Sequence, residues 1–343
     1  MRAAIFNKPH SVTVGERPDA AIREPSDAVV RVVLACVCGS DLWFYRGETP
    51  FEPGPIGHEF IGVVEDVGAD VQNVTKGDFV ISPFAFSDGT CPHCRHGITT
   101  ACVRGGFFPT GNGDGGQGEA VRVPLADGTL VGVPGSGHSD ETMASLLALS
   151  DVMGTGEHAA VCARVKPGDT VAVVGDGAVG LCGVLAAKRH GAERIIALSR
   201  HAQRQQLARE FGATDIVEAR GEEAIAAVLE LTDEVGVDAA LECVGTGQAM
   251  DTALGIARPG SMVGYVGVPH GVELDGEKLF FAHVHLHGGP APVRRCLPNL
   301  IELVWNRKIN PGKVFDLTLP LDKVAEGYRA MDERRAIKAL LQP

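Results

Sequence analysis

Cysteine and histidine side chains at two places in the chain could bind a transition metal. Cys91, Cys94 and Cys102 form a tight local group, and zinc prefers thiolate and imidazole ligands. Cys38 and His58 offer a thiolate and an imidazole at more widely separated positions. The spacing of this second pair is suggestive and does not define a site by itself. The chain therefore carries the residue types of a zinc protein.

A glycine-rich segment, VAVVGDGAVG, could bind the pyrophosphate of a dinucleotide. Gly175, Gly177 and Gly180 follow a predicted strand and begin a predicted helix, which is the context that the G-x-G-x-x-G motif requires. These glycines permit a tight turn, close approach of the phosphates and close packing of helix on strand. Ala178 and Val179 would add backbone N–H groups at the helix N-terminus. The alternative is a glycine-rich turn of some other α/β protein.

The end of the next predicted strand, RIIAL, favours NADP(H) over NAD(H). Rossmann sites for NAD carry an acid here that binds the ribose hydroxyls, whereas this strand is followed by Ser199, Arg200 and His201. We expect no carboxylate at this position. Arg200 can pair with a 2′-phosphate, Ser199 can donate a hydrogen bond to it, and Arg204 can add positive charge. The alternative is the solvated, basic start of a helix.

Two patterns of hydrophobic residues predict the elements that position these groups. Short β-branched runs punctuated by Gly and Pro predict a mostly antiparallel β domain at residues 1–152. Strands then alternate with helical segments, which predicts a domain with a parallel sheet at residues 153–289. Residues 290–343 contain a predicted helix around Leu297–Trp305, an extended segment and a helix near Asp322–Met331. This last part is too short for a domain, so we expect it to pack on the β domain.

The segment GHEFIGVVEDVGADV at Gly57–Val71 resembles the signature of the zinc-containing alcohol dehydrogenases of the medium-chain dehydrogenase/reductase superfamily. The match comprises G-H-E, followed at the family's spacing by Gly62, Gly68 and Val71. Together with SDVMGTGEHAA and the Rossmann half, the resemblance covers essentially the whole chain. It implies an α/β fold in which a GroES-like, β-rich catalytic domain is joined to a doubly wound Rossmann domain.

The resemblance also implies a catalytic zinc held by Cys38, His58 and Asp151, with Glu59 beside it as a supporting group or alternative ligand. Three protein ligands leave a fourth position for water or a substrate oxygen, as a catalytic site requires. Asp41 resembles the family's acid that orients the ligating imidazole. The resemblance therefore gives each of these side chains a role that the spacing alone does not.

Two further residues correspond to positions on the family's proton route. Ser40 matches the hydroxyl that accepts the substrate proton. The position that holds a histidine in many relatives holds Trp43 here, and an indole N–H can only donate a hydrogen bond. We interpret Trp43 as a wall of the substrate cleft, which leaves the later part of the proton route unassigned.

The segment SDGTCPHCRHGITTAC resembles the family's structural zinc lobe, in which four cysteines follow the pattern C-x2-C-x2-C-x7-C. The first position is Asp88 here, while Cys91, Cys94 and Cys102 keep their spacing. A carboxylate oxygen is an acceptable zinc ligand, so the resemblance implies a second zinc held by one carboxylate and three thiolates. The alternative is a zinc-free loop with three free thiols.

The resulting prediction is an enzyme that moves a hydride reversibly between an alcohol and the corresponding aldehyde or ketone, using zinc and NADP(H) rather than NAD(H). Trp43 and the apolar stretch GGFFPTG favour a medium-sized, partly hydrophobic substrate. Three alternatives stay open. They are a zinc-free reductase of the same superfamily, a polyol or sugar dehydrogenase, and a non-catalytic zinc- and nucleotide-binding redox sensor.

Composition limits the partners of the chain. A net charge of −12 argues against nucleic acid as a partner. No segment reaches the length of a membrane span, and the N-terminus lacks the apolar stretch of a signal peptide. We expect a cytoplasmic protein that binds a small alcohol, aldehyde or ketone. The segments SMVGYVG and HVHLHGG resemble the region through which Rossmann domains of this family pair, so we expect a homodimer or homotetramer.

Overall fold

The structure is a computed structural model that describes residues 1–111, 113–135 and 139–343. The chain divides into two compact units. Unit 1 comprises Met1–Asp151 and Pro292–Pro343, and unit 2 comprises Val152–Ala291. Every helix among the described residues is too short or too polar to span a lipid bilayer.

The strands lie in both units and are numbered in chain order. They are β1 Arg2–Lys8, β2 Ser11–Glu16, β3 Ala28–Cys36, β4 Gly54–Pro55, β5 Phe60–Val67, β6 Phe79–Ser82, β7 Ala85–Phe86, β8 Gly106–Phe107, β9 Ala120–Val123, β10 Val131–Gly132, β11 Thr170–Val174, β12 Arg194–Leu198, β13 Asp215–Val217, β14 Val237–Glu242, β15 Ala257–Tyr265, β16 His285–Gly288, β17 Phe315–Pro320 and β18 Lys338–Gln342.

The helices are numbered in the same way. The α-helices are α1 Asp41–Arg46, α2 Pro92–Arg95, α3 Ala126–Thr129, α4 Asp140–Ala148, α5 Val152–Cys162, α6 Ala178–Arg189, α7 Ala202–Phe211, α8 Glu222–Leu231, α9 Gly247–Ile256, α10 Gly276–Ala282, α11 Val293–Trp305 and α12 Val324–Asp332. Short 3₁₀ helices cover Thr99–Ala101, Pro311–Val314 and Leu321–Lys323.

Unit 1 is built around a seven-stranded sheet in the order β10-β6-β5-β3-β18-β17, with β9 paired to β3. Strand β3 reads AVVRVVLAC and is buried along most of its length, as its β-branched residues favour. The C-terminal strand β18 pairs antiparallel with the end of β3, where Leu340 lies opposite Cys36. The final segment of the chain therefore completes the sheet of the β domain, while the pairing of β17 with β18 is parallel.

Unit 2 contains a six-stranded sheet in the order β13-β12-β11-β14-β15-β16, and every pair in it is parallel. Numbered from β11, this order is that of a doubly wound dinucleotide-binding sheet. Strands β11 and β12 are nearly continuous apolar runs, as expected for strands buried on both faces. The predicted combination of a β-rich domain with a Rossmann-type parallel-sheet domain is confirmed.

Candidate metal and cofactor sites

Four side chains from three parts of unit 1 meet at one point. One potential ligand atom from each of Cys38, His58, Glu59 and Asp151 lies within 4.8 Å of the others, and all four residues are buried. Cys38 follows β3, while His58 and Glu59 precede β5. These two strands are antiparallel, with Ala35 opposite Phe60, so the end of β3 meets the start of β5. We call these four residues the Cys38 cluster.

Asp41 orients two members of the Cys38 cluster. Its Oδ1 lies 3.2 Å from His58 Nδ1, and its Oδ2 accepts a hydrogen bond from the Cys38 backbone N–H at 3.0 Å. His58 Nε2 then faces inward, 3.5 Å from Asp151 Oδ2 and 3.4 Å from Ser40 Oγ. A carboxylate on one imidazole nitrogen with the other nitrogen directed inward is the arrangement found at metal-ligating histidines.

Burial and charge act in opposite directions on these groups. Burial by itself lowers the pKa of His58, but the negative charges of Asp41 and Cys38 outweigh it, so that this pKa lies well above its ordinary value. Burial, followed by the charge of Glu59, raises the pKa of the Cys38 thiol. Anionic donors are thus crowded together in a place with little water, which a divalent cation would stabilise.

Glu59 is held by a buried lysine from the last strand. Lys338 Nζ donates to Glu59 Oε1 at 2.6 Å and to the Val37 carbonyl at 3.1 Å, and the two charged side chains are 1% and 0% exposed. Glu59 Oε2 has no hydrogen-bond partner among the described residues although it is buried. An orphaned carboxylate oxygen inside a thiolate, imidazole and carboxylate set fits a bound zinc ion.

Sequence reasoning missed three residues that support the Cys38 cluster. Lys338 holds Glu59 through its hydrogen bond to Oε1. Gln117 Nε2 donates to the Cys36 carbonyl at 2.9 Å and lies 3.3 Å from Asp41 Oδ2, while Tyr328 donates to Gln117 Oε1 at 3.0 Å. The available signal was a lysine at the start of the strand KALLQ, directly before three apolar residues, because lysine is rarely buried without a partner.

Aromatic rings lie beside the Cys38 cluster. The Phe84 ring centroid is 6.3 Å from that of His58, and Phe84 stacks on Phe107 at 6.0 Å. Trp43 lies on α1, and the Arg46 guanidinium lies 5.9 Å from the centroid of its ring. The contacts of Phe84 with His58 and Phe107 give the neighbourhood of His58 an apolar wall, whereas the assignment of Trp43 to a substrate cleft stays a prediction.

The second cysteine group also comes together, and we call Asp88, Cys91, Cys94 and Cys102 the Asp88 cluster. Its potential ligand atoms lie within 4.8 Å of one another, on a segment that forms only the short helix α2 and one 3₁₀ turn. Cys91 Sγ and Cys102 Sγ are 3.9 Å apart. Burial raises the pKa of Cys94 to about 12. Hydrogen bonds from the backbone N–H groups of Cys94 and Val103 lower that of Cys91 to about 7.

The Asp88 carboxylate already has partners. Oδ1 accepts hydrogen bonds from the Thr90 and Cys91 backbone N–H groups at 2.7 and 2.8 Å, and Oδ2 accepts one from Arg104 Nε at 2.8 Å. Burial raises the pKa of Asp88, but these hydrogen bonds outweigh burial and hold it well below its usual range. A metal ion would therefore compete with Arg104 for Oδ2, which the sequence did not reveal.

The glycine-rich turn of unit 2 fits a bound pyrophosphate. Gly175 has a φ of +117°, and a Cβ on Gly180 would lie 1.9 Å from the Gly175 carbonyl oxygen. A Cβ on Gly177 would meet nothing within 4 Å, so that side of the turn is open. Helix α6 begins after Gly177 and has no side-chain cap, which leaves the N–H groups at Ala178 and Val179 for an anion.

The prediction that no carboxylate lies at the end of β12 is wrong. Asp176, the middle residue of Gly-Asp-Gly, accepts a hydrogen bond from Ser199 Oγ at 2.8 Å and lies 3.3 Å from Arg204 NH1. The prediction rested only on the residues that follow the strand. The turn after β11 reaches the same place, because β11 and β12 are parallel neighbours. Ser199 and Arg204 therefore contact Asp176, while Arg200 is exposed.

His201 is also among the predicted cofactor residues. It lies between Arg200 and the start of α7 and is half-buried, and its Nε2 is a buried atom with no hydrogen-bond partner among the described residues. The end of β12 thus brings together the exposed Arg200, the imidazole of His201 and the carboxylate of Asp176.

Segments of both units match models of known protein families. Residues 24–135 match the model of the alcohol dehydrogenase GroES-like domain, and residues 178–306 match that of zinc-binding dehydrogenases. A protein of Mycobacterium tuberculosis named "Probable zinc-binding alcohol dehydrogenase" is 37% identical, with 96% of this chain and 84% of that protein covered. The NADP-dependent isopropanol dehydrogenase of Thermoanaerobacter brockii is 31% identical over 93% of this chain and 92% of its own.

A solved structure gives the same result for the fold. An alcohol dehydrogenase from Thermus sp. ATN1 superposes with a TM-score of 0.90 at 34% identity and covers 100% of this chain and 99% of its own. The predicted GroES-like character of the β domain is thereby confirmed.

Proposed function

Because the chain belongs to the zinc-dependent alcohol dehydrogenases of the medium-chain dehydrogenase/reductase superfamily, we propose that it interconverts a medium-sized, partly hydrophobic alcohol and its aldehyde or ketone with NADP(H). As members of an oxidoreductase family, its relatives use zinc and a nicotinamide cofactor. The observation that carries the proposal is the Cys38 cluster. It joins the donor types of a catalytic zinc site with a buried oxygen, Glu59 Oε2, that has no hydrogen-bond partner within the described part of the chain.

In this proposal Cys38, His58 and Asp151 hold the metal, and Glu59 is the alternative ligand. A bound zinc ion supplies a Lewis acid that polarises the substrate oxygen. Asp41 keeps the imidazole of His58 in place through Nδ1, 3.2 Å away. Lys338 donates a hydrogen bond to Glu59 Oε1 and compensates its negative charge. The Glu59 carboxylate can therefore stay buried beside the metal position.

Ser40 is the proposed acceptor of the substrate proton. Its Oγ lies 3.4 Å from His58 Nε2, so the hydroxyl is at the edge of the metal position and can both accept and donate a proton. Phe84 and Phe107 support a hydrophobic substrate, since they stack on each other beside His58. The apolar wall also limits water near the reacting atoms.

Arg200 supports the choice of NADP(H). Arg200 is an exposed residue two positions after the end of β12, where a 2′-phosphate would lie in a Rossmann site. The 31% identical relative from Thermoanaerobacter brockii is named as NADP-dependent. Planar pairing of a guanidinium with a phosphate is among the stronger charge-assisted contacts.

We further propose a weakly held zinc ion in the Asp88 cluster and assembly into a homodimer or homotetramer. Three thiols and a carboxylate are suitable zinc ligands, although the Asp88 carboxylate also accepts a hydrogen bond from Arg104. Strand β16 ends the sheet of unit 2, and an edge strand is where a second copy can pair.

The test is a panel of primary alcohols, secondary alcohols and polyols, assayed with NADP+ and NAD+ on protein of measured zinc content. We expect turnover with apolar alcohols, a higher kcat/KM with NADP+, and loss of activity on chelation that zinc restores. Activity that survives complete removal of zinc would contradict the metal role, and a preference for polyols would replace the substrate class.

A further inference from the structure

The carboxylate of Asp176 lies beside the end of the second strand of the parallel sheet, next to Ser199. In Rossmann sites the acid that binds the ribose hydroxyls stands at the end of the second strand. Here that strand is β12, and Ser199 directly after it donates to Asp176 Oδ2 at 2.8 Å. The acid therefore comes from the glycine-rich turn instead of the strand end.

Asp176 also forms an ion pair with Arg204, a cation that could otherwise bind a 2′-phosphate. Arg204 NH1 lies 3.3 Å from both Oδ1 and the backbone carbonyl of Asp176, and the two side chains are 11% and 14% exposed. An ion pair with so little solvent is weakly screened. Arg204 is therefore committed to Asp176, and the exposed Arg200 is left as the cation that faces solvent at this strand end.

We propose that Asp176 is a specificity-determining residue that accepts hydrogen bonds from the ribose hydroxyls and repels a 2′-phosphate. It opposes Arg200, so that the preference for NADP(H) is smaller than Arg200 alone would produce. The proposal rests on the dinucleotide site of the proposed function. A negative charge beside Ser199 repels the phosphate of a phosphorylated ribose, whereas it does not repel the neutral hydroxyl of an unphosphorylated ribose.

The test uses two fragments that differ only in the phosphate at issue, 5′-AMP and adenosine 2′,5′-bisphosphate, titrated calorimetrically into the purified protein. Asp176→Asn keeps the size of the side chain and the acceptor for Ser199 while removing the charge. We expect this variant to bind the bisphosphate about tenfold more tightly and 5′-AMP equally or up to about threefold more weakly. The gain for the bisphosphate should shrink as salt is added.

Glu193→Gln is the matched control, because this exposed carboxylate lies at the opposite end of β12. It should change neither affinity. If Asp176→Asn does not fold, Asp176→Ser removes the same charge with a smaller side chain and should give the same selective gain. Equal changes for both fragments, or no change, would show that Asp176 only supports the turn and would overturn the proposal.

Arg200→Ala separates this proposal from the preference for NADP(H). If Arg200→Ala leaves bisphosphate binding unaltered while Asp176→Asn improves it, the assignment of Arg200 fails and that of Asp176 stands. If the parent protein binds neither fragment, the dinucleotide site itself is refuted and the proposal for Asp176 falls with it.

Discussion

The Cys38 cluster and the Asp88 cluster contain similar ligand types but differ in how the fold builds them. The first draws on residues far apart in sequence that the antiparallel pairing of β3 and β5 brings together. The second lies within one short segment with little regular structure. In the first, Glu59 Oε2 has no hydrogen-bond partner among the residues that the structure describes, whereas in the second, both oxygens of Asp88 are hydrogen-bonded.

The difference indicates how tightly each cluster is prepared for a metal. Asp41, Gln117 and Lys338 hold the Cys38 cluster from outside, so its donors stay in place without an ion. At the Asp88 cluster, metal binding would replace the hydrogen bond between Arg104 and the carboxylate. We therefore expect strong zinc binding at the first cluster and weaker binding at the second.

The largest expected effect comes from removing a ligand of the Cys38 cluster. Cys38→Ala or His58→Ala should lower kcat by at least about a thousandfold, because a Lewis acid contributes several kcal/mol to transition-state stabilisation. Zinc content per chain should fall while 5′-AMP binding stays unchanged, since the glycine-rich turn lies in unit 2. Cys162→Ala is the control, because this buried thiol belongs to neither cluster. Ordinary activity in Cys38→Ala would refute the zinc mechanism.

Breaking the buried ion pair behind the Cys38 cluster should have the next largest effect. Lys338→Met leaves Glu59 charged and buried without its partner, which should destabilise unit 1 by about 3–5 kcal/mol. Thermal unfolding followed by calorimetry measures this loss. The double variant Lys338→Met/Glu59→Gln should recover most of it, because no uncompensated charge remains. A single variant as stable as the parent would contradict a stabilising role for this ion pair.

A substitution in unit 2 tests whether the two clusters are independent of the cofactor site. Arg200→Ala should raise the KM for NADP(H) by about ten- to a hundredfold and leave that for NAD(H) nearly unchanged. Zinc content at both clusters should equal that of the parent. Steady-state kinetics with each cofactor measures the effect. Equal losses with both cofactors would indicate that Arg200 stacks on the adenine ring instead.

The smallest effect is expected at the Asp88 cluster, and its sign depends on the metal. Asp88→Cys should hold zinc about tenfold more tightly and so raise the stability of the loaded protein by about 1.4 kcal/mol. In the metal-free protein the same change should lower stability, because the Thr90 and Cys91 N–H groups lose their acceptor. Melting temperatures with zinc and with chelator measure both. If the parent holds one zinc ion per chain and zinc-loaded Asp88→Cys melts no higher than the parent, the Asp88 cluster is stable without a metal.

Local patterns were sufficient for several conclusions about this protein. The glycine-rich turn predicted a dinucleotide fold because each glycine answers a local steric requirement, as the close approach of Gly180 to the Gly175 carbonyl illustrates. The two classes of sheet followed from hydrophobic patterns, which depend on burial on one or both faces. The Asp88 cluster was visible because its ligands are near neighbours in sequence.

Only the tertiary structure decided which distant side chains complete these sites. Lys338 reaches Glu59 because β18 pairs with β3, and no local pattern encodes that pairing. Asp176 stands next to the predicted glycines, yet its side-chain direction depends on the neighbouring strand β12 and on Ser199. The sequence shows which residue types are present and how they are spaced along the chain. Strand order and register decide which partner a buried charge has, because electrostatic pairing acts over a few ångströms of space.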